Sequence, residues 1–122
     1  ITTYRTLERF EAGTRDEGYS LLECHLYTGR THQIRVHMRH TGHPLVGDQL
    51  YGRGDDRVNL GLRRQFLHSW SIAFDHPATG ERIERCDHLP DDLLAILERI
   101  GERSMGRTEA GERICPLLGC DG

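Results

Sequence analysis

The sequence predicts an α+β domain built on a mostly antiparallel mixed sheet with flanking helices. Three observations lead there. The elements run strand, strand, helix, loop, hairpin, helix, without the regular alternation of a doubly wound fold. A chain of 122 residues suffices for one compact domain and not for two. At 36% hydrophobic and 29% charged, with no long apolar run, it has the composition of a globular protein and carries neither a membrane span nor a secretory h-region.

Residues Thr3 to Phe10 alternate well enough for a first strand, with Tyr4 and Phe10 as its larger apolar members. Glu11 to Gly18 is rich in Gly, Asp and Glu and reads as a turn. Tyr19 to Tyr27 is a second strand antiparallel to the first, ended by Gly29. Thr31 is the N-cap candidate of a helix reaching Thr41, where Gly42 and Pro44 stop it. On that helix Ile34 and Met38 share one stripe, and Arg35 and Arg39 share its neighbour.

Pro44 to Leu50 is loop, and Arg53 to Leu62, polar and broken by glycine, is expected to be mobile. Gln65 to Phe74 is a third strand. His76-Pro77-Ala78-Thr79-Gly80 turns it into a short fourth, Glu81 to Cys86. Pro90 and Asp91 open a helix over Asp92 to Arg103, with Leu93, Leu94, Leu97 and Ile100 as its apolar stripe. Residues 104–122 are sparse in apolar side chains before Ile114 and are expected to form a C-terminal extension whose order the pattern leaves open, disorder included.

All 16 basic side chains are arginine, against 19 acids, for a net charge of -3. The charge is unevenly spread: residues 29–70 hold 7 Arg and 3 acids (+4), whereas residues 81–122 hold 6 Arg and 10 acids (-4). Salt screens fields beyond about 10 Å, so a cationic middle third can attract a polyanion on a chain that is acidic overall.

Four cysteines without a signal peptide point to a reducing compartment, the cytoplasm, rather than to a disulfide framework. Among the eight histidines, His37, His40 and His43 are spaced by three. His43 lies past the helix stop, however, and His32 sits about 140° round the helix from His37, so no metal site is assigned. Cys24 and His25 are neighbours on a strand and point to opposite faces, which excludes a Cys/His pair. No G-x-S-x-G turn and no nucleotide-binding glycine loop is present.

The most informative run is Gly29-Arg30-Thr31-His32-Gln33-Ile34-Arg35-Val36-His37. It is followed by Gly42-His43-Pro44-Leu45-Val46-Gly47-Asp48, by Tyr51-Gly52, by Phe66-Leu67-His68 and by His76-Pro77. Physically this is a strand end, a helix start carrying two arginines and a glycine-rich loop, all able to line one cleft. In combination and order the run resembles the C-terminal half of the catalytic domain of RluA-type RNA pseudouridine synthases, over roughly residues 3–100.

The resemblance implies that residues 1–103 are the C-terminal subdomain of a pseudouridine synthase catalytic domain. It implies that Arg35 forms an ion pair with the catalytic aspartate and that Ile34 packs against the target uracil, with Arg30 and His32 in supporting or RNA-backbone roles. A guanidinium suits the first task because its planar fork holds a carboxylate bidentately and keeps it ionised. An apolar side chain suits the second because a flipped base needs a dry wall. The implied reaction breaks the N-glycosidic bond of a uridine in rRNA or tRNA, turns the base and rejoins it through carbon, with no metal or organic cofactor.

The family's aspartate and tyrosine motifs, both N-terminal to the matched part, do not occur in these 122 residues. Asp48 and Tyr51 belong to the loop motif and match neither. With the Ile1 start, the expectation is a fragment of a longer synthase, inactive alone, whose partners are RNA and the N-terminal half of its own catalytic domain. Half a sheet also leaves an open strand edge and an apolar face, which predicts self-association. The alternative is a non-catalytic RNA-binding module using the +4 segment for phosphate contacts.

Overall fold

A computed structural model of the chain describes residues 2–26 and 31–120. Strands β1 (Thr2–Phe10) and β2 (Tyr19–Leu26) form an antiparallel hairpin whose register shifts between Thr6 and Glu8. Helix α1 spans Thr31–His40, and β3 (Ser71–Asp75) pairs with β4 (Arg82–Cys86). Helix α2 (Asp91–Ile100) runs through a short 3-10 turn into β5 (Ser104–Arg107), followed by α3 (Glu109–Ile114) and a second 3-10 turn, Cys115–Leu118. This is the expected α+β class, with one antiparallel sheet of order β2-β1-β5 and a separate β3-β4 ribbon.

The elements form where local chemistry favours them. The β1 bulge turns Leu7 inward, where it is 2% exposed. Asp91 and Asp92 stand in the first turn of α2 and Arg99 in its last, each favourable to the helix dipole. The buried stripe of α2 is Leu93, Ile96 and Ile100, while Leu94 and Leu97, expected on that stripe, pack at its margin. Helix α1 closes where Gly42 and His43 return their amides to Arg39 and Met38 at 3.0 and 2.9 Å. The side chain of Thr31, proposed as its cap, lies outside the described residues, as do Gly29 and Arg30.

Three expectations need correction. The segment after residue 103 is not a loose extension. β5 pairs with β1, the Thr108 amide donates to the Leu7 carbonyl at 2.9 Å, and Ile114, Cys115 and Leu118 are buried in the main core. Burying an aliphatic side chain of that size contributes roughly 2 kcal/mol. Gly111 makes the docking of α3 on β1 possible, since a Cβ there would stand 2.0 Å from the Leu7 carbonyl oxygen. Sparse apolar residues suffice because β1 supplies the complementary surface.

The loop after α1 is not a free one either. Leu60 and Leu62 are buried in the core, and the buried Asn59 accepts the Gly47 amide and donates to the Arg53 carbonyl. Arg64 forks onto Asp92 at 2.7 and 2.8 Å, and Arg99 reaches the Leu60 carbonyl at 2.9 Å, so the C-terminal end of the loop is tied to α2.

The third strand is five residues long rather than ten. Among the described residues, 65–70 have no strand paired along them, although the Trp70 carbonyl accepts the Asp87 amide at 2.7 Å, and regular pairing starts at Ser71, across from Cys86.

Candidate functional site

Helical spacing brings His32, Arg35 and Arg39 onto one side of α1, three and four residues apart. The loop beneath them turns on Asp48, whose carboxylate accepts the Leu50 and Tyr51 amides, both at 3.0 Å. This short turn places Tyr51 against the helix. All three helix side chains reach it. The His32 ring nitrogen hydrogen-bonds the Tyr51 hydroxyl, the Arg35 guanidinium lies 5.3 Å from the ring centroid, and Arg39 donates to the Tyr51 carbonyl at 3.1 Å.

The centre of the arrangement is a forked ion pair. Arg35 Nε donates to Asp48 Oδ2 at 2.9 Å and Nη2 to Oδ1 at 2.8 Å. The Asp48 side chain is 1% exposed and that of Arg35 16%. Hydrogen bonds from Arg35 hold the Asp48 carboxyl down at about 2, with the Tyr51 and Leu50 amides adding to the effect against the opposing cost of burial. The same contacts raise the Arg35 pKa above its ordinary value. Among the described residues, Arg35 Nη1 has no hydrogen-bond partner.

Arg35 was expected to face a carboxylate outside this chain. Its Nε and Nη2 are instead occupied by Asp48, thirteen residues on. Ile34 is only 6% exposed, on the inward stripe with Met38, so it forms no open wall here. His32 is exposed and engaged with Tyr51, and Arg30 lies outside the described residues. The reading of the sequence missed Asp48 and Tyr51 as partners of Arg35. The signal that could have found them is the Asp-x-x-Tyr spacing, in which an aspartate caps the amide of the tyrosine three residues later.

Beside the pair, an open groove of about 610 Å³ is lined by Val36, Arg39, His40, Leu50 and Tyr51. Val36 and Leu50 are exposed although apolar. A guanidinium and a π-face around an apolar floor are what phosphates and unstacked bases need together. Among the described residues no three His, Cys, Asp or Glu side chains gather as a metal site, and no helix is long and apolar enough to cross a membrane.

Residues 1–40 match the family described as RNA pseudouridylate synthase. The chain is 45% identical over 104 residues to the ribosomal large subunit pseudouridine synthase D of Nitrosomonas europaea, covering 81% of this chain and 28% of that protein. It is 47% identical over 103 residues to an uncharacterized RNA pseudouridine synthase of Chloroflexus aurantiacus, covering 84% and 30%. With the ribosomal large subunit pseudouridine synthase D of Xanthomonas campestris the identity is 41% over 123 residues, covering 93% and 35%. The chain spans about a third of the length of these relatives.

Proposed function

Because the chain belongs to the RNA pseudouridine synthases of the RluA type, we propose that it forms the arginine-bearing wall of an active site that isomerises uridine in RNA. The substrate class is ribosomal or transfer RNA, and the reaction belongs to a longer protein that also supplies the aspartate. The observation that carries this reading is the forked Arg35–Asp48 pair. Two arms of the guanidinium are immobilised, and Nη1 is left to meet a second carboxylate.

An arginine so held cannot lose its proton, and it keeps a neighbouring carboxylate ionised as nucleophile or base. Asp48 is a positioning residue in this scheme, and Arg35 the group that touches the reacting aspartate. Ile34 is the apolar contact for the uracil, reached once the base displaces what covers it. Arg39 and His32 hold the RNA backbone, and Arg30 is proposed for the same role. No metal or organic cofactor is needed, and the site of action is the cytoplasm.

The rest of the catalytic domain is the covering proposed for two open surfaces. One is the free edge of β2, and the other is the ribbon face carrying Ile72, 58% exposed, and Phe74, 43% exposed. A two-stranded ribbon alone is marginal in water, so without that covering the isolated chain should self-associate.

The test is uridine conversion by the full-length protein on unmodified rRNA and tRNA, read as pseudouridine by mass spectrometry after chemical labelling. Loss of conversion in Arg35→Lys with RNA affinity retained supports the enzyme reading. Unchanged conversion in Arg35→Lys overturns the role of Arg35. RNA binding without conversion in the wild type leaves the binding-module reading.

A further inference from the structure

Four thiols are present: Cys86 is exposed, Cys24 and Cys120 are half-buried, and Cys115 is fully buried. Two of them meet at the end of the last 3-10 turn. Gly119 there adopts the left-handed conformation, with φ 91. Its amide returns to the Pro116 carbonyl, and that of Cys120 to the Cys115 carbonyl, both at 3.2 Å. These are the two nested bonds of a Schellman closure, a geometry that sets the side chains of its first and last residues against each other. In most proteins two apolar groups fill those places. Here both places are taken by cysteines, Cys115 at the start of the closure and Cys120 at its end.

We infer that Cys115 and Cys120 are a redox-active dithiol that closes to an intrachain disulfide, with the half-buried Cys120 as the attacking sulfur and the fully buried Cys115 as the resolving one. The oxidant is a low-molecular-weight disulfide such as oxidised glutathione. The Cys120 thiolate attacks one sulfur of that disulfide, forming a mixed disulfide and releasing one small thiolate. Cys115 then attacks the Cys120 sulfur and passes its proton to the second small thiolate as that group departs. Two protein thiols are oxidised, one small disulfide is reduced, and the two protons end on the released thiols.

The ring would lock a segment that matters to the fold. Leu118 accepts the Leu89 amide at 3.1 Å just before α2, and Ile114 lies in the core beside β1. Cys24 and Cys86 lie on different strands, in different sheets, and serve as internal controls.

The experiment exposes the folded full-length protein to oxidised glutathione, quenches with acid, alkylates the remaining thiols and maps tryptic peptides. Cleavage after Arg113 puts Cys115 and Cys120 on one peptide beginning at Ile114. The expected result is loss of both alkylation tags and of about two hydrogen masses from that peptide, while Cys24 and Cys86 keep theirs. In Cys115→Ala the glutathione adduct should accumulate on Cys120, and in Cys120→Ser the Cys115 thiol should stay reduced. A wild-type peptide that retains both thiols, or that stops at the glutathione adduct, overturns the proposal. Should Cys115→Ala fail to fold, Cys120→Ser and the wild-type map decide it.

Discussion

Arg35 lies flat against the carboxylate of Asp48, its Nε and Nη2 on the two oxygens at 2.9 and 2.8 Å, while its guanidinium carbon stands 5.3 Å from the Tyr51 ring centroid. The helix thus presents an arginine that is already oriented and already partly desolvated. Removing one member of such a pair leaves the other charge short of partners in a half-dry site.

Asp48→Asn should therefore destabilise the chain by about 2 kcal/mol, because the amide can accept from Arg35 on one side only and meets a donor with a donor on the other. Urea unfolding of both proteins checks this. An unchanged midpoint would show the pair to be energetically idle.

Stability should also fall with acid in a defined window. The Asp48 carboxyl sits at about 2 when folded against an ordinary 3.8, so the unfolded chain takes up protons first. The contribution is whole above about pH 4 and is lost as pH falls towards 2, a swing of about 2 kcal/mol. Unfolding free energies measured from pH 5 to 2 should slope in this sense for the wild type and be flatter in Asp48→Asn.

Arg39→Ala should weaken RNA binding by the full-length protein across sequences and lower the salt slope of the affinity by about one phosphate contact. Filter binding at several salt concentrations reads both quantities. A weaker affinity with an unchanged slope would argue for lost packing over the groove instead.

Gly111→Ala should destabilise strongly, by roughly 2 kcal/mol or more. The added Cβ meets backbone, the Leu7 carbonyl oxygen at 2.0 Å, which no side-chain rotation relieves. Alanine would otherwise favour a helix, so a stabilised variant in thermal melts would show that α3 does not press on β1.

Where periodicity is local, the sequence was readable. The hairpin strands, α1, β4 and α2 appear within a few residues of their expected bounds, because alternation or a helical stripe is carried by the segment itself. What escaped depends on residues far away. Ser104 and Arg107 look like ordinary tail residues until Glu8, nearly a hundred positions earlier, receives hydrogen bonds from both. Leu60 and Leu62 sit in a polar stretch and are fixed by α2. Arg35 stood out by its motif, whereas its partner Asp48 did not. A counter-ion on a loop is chosen by tertiary approach, and nothing in the helix pattern names it.

The contact between Thr108 and the Leu7 carbonyl spans a sequence separation of 101 residues. Such long-range closure delays folding, since loop entropy is lost before the contact rewards it. A ribosome must add about a hundred residues after Leu7 before β1 gains its second neighbour. Until then Leu7 and Phe10 face solvent on a strand edge, and the nascent chain is at its most vulnerable to capture by chaperones or by other chains.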